Sequence, residues 1–438
     1  MGQESYSRTI EVHALARVEG EGGLTVRVRD GRVVGVELRI YEPPRFYEAL
    51  LRGRHAAEVP DIVARICGIC PVAYQMSAVH ALEKIFGVAV SPQVRALRRL
   101  LYCGEWIESH TLHIFLLHAP DFLGFDSALS MAQANPDLAA LVRRGLRMKK
   151  AGNRIMQVIG GREIHPVNVQ IGGFYRAPRR EELLPLLDEL RWGRDAAVET
   201  VRWAAALPAP PWTGGYEFVA LRHPSEYAMN EGRLGSSAGL DVAQEEFLDH
   251  FEEYQVPHSH ALHARRRGNG TGSYSVGALA RWHLNYDRAP HWIQHLAHEC
   301  GFSVPVHNPY RSIVARSLEV LLAFDEAIAL IENYEPPSPA RAPVTYAAGI
   351  GQAITEAPRG ILYHRYETDA AGIVRWARIV PPTSQNQAQM EHDLWTVAPR
   401  LVSLPEPVAA LEAEKVIRNY DPCISCATHF LRLRIEQQ

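Results

Sequence analysis

Apolar and polar positions alternate with a period of two over residues 9–41, and within VRVRDGRVVGVELRI the alternation is interrupted at Asp30-Gly31. Such alternation buries one face of a strand, and Asp-Gly suits a tight turn, so an N-terminal β-hairpin is predicted. After Pro44 the apolar spacing lengthens towards the helical repeat. Phe46–Arg54, Pro71–Phe86, Pro92–His118, Leu138–Val158, Glu181–Ala206 and Ser312–Tyr334 each carry such a stripe. Pro71 and Pro92 fall where a first helical turn tolerates proline. Pro208–Trp212, Pro336–Pro343 and Pro381–Pro382 break the pattern and mark connections. Strand-like sequence returns over residues 344–380, in VTYAAGIGQAI and GIVRWARIVPP. The pattern predicts a mainly α protein with small β pieces. A long-helix bundle core over residues 45–335 would lie between the hairpin region at 9–41 and a C-terminal α+β region at 344–429.

Composition narrows the picture. A chain of 438 residues with 47% hydrophobic and 22% charged residues can bury a large core. The net charge of −3, without a basic run, argues against nucleic acid and anionic lipid as partners. No apolar run reaches the roughly 18 residues of a membrane helix. The best stretch, Leu97–His118, is broken by Arg98, Arg99, Glu105, Glu108 and three histidines. The start, MGQESYSRTIEV, lacks the apolar segment of a secretory leader, and Tyr6 stands where acylation at Gly2 requires Ser or Thr. A cytoplasmic protein without direct membrane insertion is expected.

Six cysteines are too few for a disulfide scaffold of this size. Cys103 and Cys300 stand alone and read as small buried hydrophobes. The other four form two CxxC pairs near opposite ends, Cys67/Cys70 and Cys423/Cys426. Each pair can set two thiolates on one metal, and four thiolates suit zinc, an iron–sulfur cluster or nickel. Spacing alone leaves the metal open, but it requires the chain ends to meet. His258, His260 and His263 form one histidine group, and His295 and His298 another. A second zinc site and plain solvated or packing histidines are the two readings, and HLAHE lacks the order of a zinc-protease helix.

The residues around the cysteines choose among the metals. RICGICP at 65–71 and DPCISCATH at 421–429 resemble the two terminal signatures of nickel–iron hydrogenase large subunits. Arg17-Val-Glu-Gly20, Gly161-Arg-Glu-Ile-His-Pro166 with Gly172-Gly173, Glu356-Ala-Pro-Arg-Gly360 and Pro381-Pro-Thr-Ser-Gln-Asn386 resemble further family motifs in the family's order. The resemblance covers residues 1–438 as one large subunit. The short length and the PVAYQMS continuation are most similar to the cytosolic multimeric, sulfhydrogenase-like branch. Members of that branch couple dihydrogen to NAD(P) or a deazaflavin on other subunits.

The resemblance implies a reversible, heterolytic oxidation of dihydrogen. Cys67 and Cys423 would be terminal nickel ligands, and Cys70 and Cys426 would bridge nickel to an iron carrying cyanide and carbon monoxide. Arg359, held by Pro358, and Thr383 would donate to the cyanides. Asp121 and Asp421 would be the carboxylate partners of Arg359. Glu19, rather than Glu21, would accept the proton from Cys423. Glu48, the Ile379 carbonyl and His429 would hold magnesium or another hard cation. Tyr74 departs from the histidine common at its position, which leaves the tuning of the bridging sulfur open. Too few cysteines remain for a chain of clusters, so an iron–sulfur small subunit must take the electrons. Flavin and iron–sulfur diaphorase subunits, a maturation protease and nickel-delivery proteins are the other implied partners. The tail at 430–438 would be cleaved after nickel insertion. The alternatives are a structural zinc protein and a complex I-like quinone-module subunit, and metal content separates all three.

Overall fold

Ser91 accepts the Val94 N–H at 3.2 Å and starts a helix, Pro92–Leu112, that runs through the centre of the molecule. It packs against the Pro136–Gly160 and Ser312–Glu332 helices, and Leu187–Ala206 covers the far side of the last. The first two touch backbone to backbone, because a Cβ on Gly152 would sit 2.6 Å from the Gly104 carbonyl oxygen. The central helix continues through a wide π-helical turn, His113–His118, into Ala119–Leu123. The computed structural model describes residues 7–268 and 272–428, so His429 and the expected tail at 430–438 lie outside the described residues.

The N-terminal hairpin is there with its turn at Asp30-Gly31, and a third strand joins it. Arg8–Val12, Gly22–Arg29 and Arg32–Ile40 form one antiparallel sheet in chain order. Its buried face, with Ile10, Leu24, Val26 and Leu38, packs on Met390, Leu394 and Ile417. Those three come from two C-terminal helices, Pro382–Leu401 and Glu406–Arg418. A second antiparallel sheet, Gly349–Ala357, Gly360–Thr368 and Val374–Val380, lies against the Pro71–Phe86 helix. The two chain ends therefore meet, as a shared cysteine site requires.

Some elements differ from the sequence expectation. Phe46–Arg54 shortens to a helix at Tyr47–Leu51. The helix expected over Glu181–Ala206 breaks around Pro185 and resumes as Leu187–Ala206. Residues 219–266, assigned to the helical core, hold two small sheets. Val219–Arg222, Arg233–Ser236 and Asp241–Val242 make one, and Phe251–Tyr254 with His263–Arg266 the other. Their apolar residues fill a separate core with Phe247, Tyr274 and Tyr363. These runs are too short to display a period, so tertiary packing decides them. No helix among the described residues is long and apolar enough to cross a membrane.

Candidate metal centre

The first cysteine arm is built locally. Pro71 opens the Pro71–Phe86 helix directly after Cys70. The buried Glu105 carboxylate accepts the Val72 and Ala73 N–H groups at 2.6 and 3.1 Å. Cys67 Sγ accepts the N–H groups of Ile69 and Cys70, each at 3.3 Å. These bonds satisfy the free donors of a helix start and aim both sulfurs inward.

The second arm is held from a distance. Cys423 N–H donates to Thr383 Oγ1 at 2.9 Å, and Ile424 N–H to the Glu19 carbonyl at 2.9 Å. The Arg45 guanidinium donates to the carbonyls of Ile66 and Ser425, clamping the two arms together immediately before Cys67 and Cys426. Arg17 and Asp421 both adopt the left-handed backbone, at φ 59° and 53°. Side-chain-bearing residues occupy that region rarely, and here buried ion pairs hold both.

All four cysteines are buried, and their sulfurs lie within 4.8 Å of one another. Cys67 Sγ is 3.6 Å from Cys423 Sγ, and Cys70 Sγ is 3.8 Å from Cys426 Sγ. Cys423 and Cys426 are joined as a disulfide, whereas Cys67 and Cys70 are free. Reduction of that bond would release the two thiolates that a four-sulfur metal site requires. The Cys67–Cys70 hydrogen bond lowers the Cys67 pKa against burial, with the Arg359 charge helping, and raises that of Cys70, where burial adds to it. Cys423 Sγ also lies 3.0 Å from Glu19 Oε2, a distance at which a protonated thiol donates to a carboxylate. Glu21 is exposed on the far side of Gly20.

Arg359 occupies the two-residue turn after Ala357 and is buried beside the sulfurs. Its Nε donates to the Asp421 carbonyl at 2.6 Å and its Nη2 to Asp421 Oδ1 at 3.0 Å. Burial opposes its charge, but Asp421 and the cysteines outweigh that and hold its pKa above the ordinary value. The expected second partner, Asp121, does not reach it. Asp121 instead takes Arg418 Nε and Nη2 at 2.7 and 2.8 Å and Arg17 Nη2 at 2.5 Å. The wide turn at His113–His118 carries Asp121 towards the chain ends, where two guanidinium groups with little exposure need a counter-charge. The carbonyls of Ala357 and Pro358 receive Arg281, each at 2.8 Å, and Arg281 is itself bound by Glu319 at 2.6 and 2.7 Å. Pro358 thus belongs to the mount of Arg359.

Glu48 Oε1 accepts the Ile379 N–H at 2.8 Å, so two of the three residues expected around a hard cation adjoin one another. The third, His429, lies outside the described residues. Tyr74 is fully buried, and its hydroxyl has no hydrogen-bond partner among the described residues. Burial first, then the adjacent Cys70 and Cys67, push its pKa well up, so the phenol keeps its proton. Cys103 is buried as expected, but Cys300 is only half-buried, at the end of the His291–Glu299 helix. Of the histidines, His258 and His263 converge, whereas His260, His295 and His298 are exposed.

Arg45, Glu105, Arg281 and Ser425 all shape the pocket, and none was singled out in the sequence. Only Glu105 left a trace, as a charge inside an otherwise buried helical stripe. The donor set fits a nickel–iron pair. Four convergent sulfurs suit soft metals, and Arg359 with the free Tyr74 hydroxyl offers donors to anionic ligands.

Comparison with known proteins agrees with this donor set. A family model described as nickel-dependent hydrogenase matches residues 45–144 and 272–429, which include both cysteine pairs. The alpha chain of sulfhydrogenase 2 from Pyrococcus furiosus is 34% identical over 429 residues, covering 97% of this chain and 100% of the relative. The vhc F420-non-reducing hydrogenase of Methanococcus voltae contributes a relative 30% identical over 454 residues, covering 96% and 94%. Among solved structures, an NAD+-reducing [NiFe]-hydrogenase in the H2-reduced state matches with a TM-score of 0.82 at 26% identity, covering 97% of this chain and 100% of that one.

Proposed function

The chain belongs to the nickel-dependent hydrogenases, as a catalytic large subunit that oxidises dihydrogen at a nickel–iron centre with cysteine ligands, and we propose how its pocket residues divide that work. Cys67, Cys70, Cys423 and Cys426 would hold the metal pair, Cys67 and Cys423 toward nickel alone and Cys70 and Cys426 toward nickel and iron together. When bound, the metal pair polarises dihydrogen and takes up its two electrons. The observation that carries the reading is the 3.0 Å contact between Cys423 Sγ and Glu19 Oε2, in a site where Arg359 is buried on Asp421.

Splitting one dihydrogen molecule yields two protons and two electrons. Once reduced, the Cys423 sulfur is the base nearest a carboxylate, so it takes the two protons one after the other and passes each to Glu19 Oε2. Outward from there, the Ser425 N–H donates to Glu19 Oε2 at 3.1 Å and the Ser425 hydroxyl to Glu42 Oε2 at 2.9 Å. Glu42 is therefore the next carboxylate towards solvent. Gly20 keeps this passage open, because at its φ of 88° a Cβ would meet Glu42 Oε2 and Ile424 Cβ, each at 2.7 Å. Arg359 fixes positive charge over the pocket, and Asp421 keeps its fork oriented. Thr383 accepts from Cys423 N–H and retains a hydroxyl proton for a cyanide on iron. The Tyr74 hydroxyl can donate to a bridging sulfur. Carbon monoxide would complete the iron. Magnesium would sit at Glu48, the Ile379 carbonyl and His429.

Electrons leave through an iron–sulfur small subunit. Flavin-bearing diaphorase subunits for NAD(P), or their deazaflavin counterparts, and a cytoplasmic location belong to the same reading. So do the nickel-delivery proteins and a protease that removes 430–438. The names of the relatives, sulfhydrogenase and F420-non-reducing hydrogenase subunits, support a multi-subunit enzyme.

Glu19→Gln tests the proton step, since it keeps size and hydrogen bonding but cannot carry the proton. Dihydrogen–deuterium exchange should fall about 100-fold or more, with nickel and iron retained. Wild-type exchange in Glu19→Gln, or a loss seen only in Glu21→Gln, would remove Glu19 from the path.

A further inference from the structure

Away from the sulfur pocket, the loop between Phe251–Tyr254 and His263–Arg266 folds over Glu391 of the Pro382–Leu401 helix. His258 Nε2 lies 2.7 Å from Glu391 Oε1, and His263 Nδ1 lies 3.9 Å from Glu391 Oε2. One ligand atom from each of the three residues falls within 4.8 Å of the others. His263 is wholly buried, and neither of its ring nitrogens has a hydrogen-bond partner among the described residues. Polar groups buried this deeply almost always find one, so the ring stands ready for a ligand that the described residues do not supply. The nearby Tyr254 ring faces His263 edge-on, at 5.7 Å between centroids, and provides no acceptor to that ring.

We propose that His258, His263 and Glu391 form a second metal site, which takes zinc through two imidazoles and one carboxylate. Burial holds the His263 pKa down to about 4, so at neutral pH its ring keeps a lone pair for a metal. Zinc bonds of about 2.0–2.2 Å in a tetrahedron put the donor atoms roughly 3.3 Å apart. The 2.7 Å His258–Glu391 contact must open slightly and the 3.9 Å His263–Glu391 contact must close, both within the reach of small rotations. The His258 and Glu391 side chains are 20% and 19% exposed, which leaves an entry path and room for a water as fourth ligand.

The site would act as a staple. Glu391 Oε1 also accepts the Leu38 N–H at 2.8 Å, and His260 N–H donates to the Ile40 carbonyl at 2.7 Å. Zinc would thus tie the strand that leads to Glu42 to the helix whose first turn carries Thr383. The inference stands on these three residues and does not depend on the roles proposed for the sulfur pocket.

The test uses nickel-loaded enzyme complex, so that the cysteines are already occupied. The complex is treated with chelator, given Zn2+ alone, and counted for metals by mass spectrometry, with zinc X-ray absorption for the ligand set. One added zinc per large subunit is expected, with nitrogen and oxygen ligands. His258→Gln and Glu391→Gln should each weaken zinc binding by roughly 100-fold, with nickel and iron unchanged. If Glu391→Gln fails to fold, His258→Gln, in the half-buried loop, carries the test alone. No zinc uptake at micromolar concentration, sulfur in the zinc shell, or full uptake by His258→Gln would overturn the site.

Discussion

Cys67 and Cys70 stand at the start of a helix that their own neighbours build, whereas Cys423 and Cys426 lie on a turn held by remote segments. The first arm has Pro71 to begin the helix, with the Glu105 carboxylate and the Arg45 bond to the Ile66 carbonyl as supports from elsewhere in the chain. The second borrows Thr383, the Glu19 backbone and the Arg45 clamp, and its approach is set by Arg359 on Asp421 and by Asp121 on Arg418. The same spacing of cysteines can therefore be made rigid in two ways. A pair on a helix start inherits order from the backbone, while a pair on a turn depends on side chains brought by the fold. The proposed proton acceptor belongs to the second kind, since Glu19 reaches Cys423 only when the N-terminal sheet has docked.

This difference can be broken most severely at Asp121. Asp121→Asn removes the carboxylate that Arg17 and Arg418 share and leaves Glu414, 3.3 Å from Arg418, as the remaining counter-charge, so the loss costs about 3 kcal/mol, the low end for a broken buried pair. Hydrogen–deuterium exchange should show lost protection over 417–428, with Pro71–Phe86 unchanged and nickel content reduced. Equal loss in both arms would erase the distinction.

A smaller effect should appear in the other arm with Glu105→Met. It leaves the Val72 and Ala73 N–H groups buried without an acceptor, at a cost of about 2 kcal/mol. Faster exchange should be confined to the first turn of Pro71–Phe86, and an effect centred on Cys423 would contradict local support.

The mildest change is Thr383→Val, which removes one acceptor from Cys423 N–H for about 1 kcal/mol. The Cys423 amide should exchange faster, and Thr383→Ser should restore it. A Thr383→Ser protein as impaired as Thr383→Val would mean that the methyl group, not the hydroxyl, matters.

What was readable in the chain itself was local. A period of two with Asp-Gly predicted the hairpin, a period near 3.6 after Pro71 and Pro92 predicted the long helices, and the two CxxC motifs required the ends to meet. The flanking motifs then chose nickel and iron over zinc. These features depend on residues a few positions apart, so their physics is written along the sequence. Partners across the chain were not legible. The family resemblance paired Asp121 with Arg359, whose buried guanidinium needs a carboxylate, but charge carries no address, and the wide turn at His113–His118 delivers Asp121 to Arg17 and Arg418 instead. For the same reason Arg45, Glu105 and Arg281 looked like ordinary charged residues. The sequence left His258 and His263 open between a zinc site and solvated or packing side chains, and the Pro382–Leu401 helix sets Glu391 beside both. Ion pairs and ligand sets are fixed by distances of a few ångströms between segments hundreds of residues apart, and only the packed backbone sets those distances.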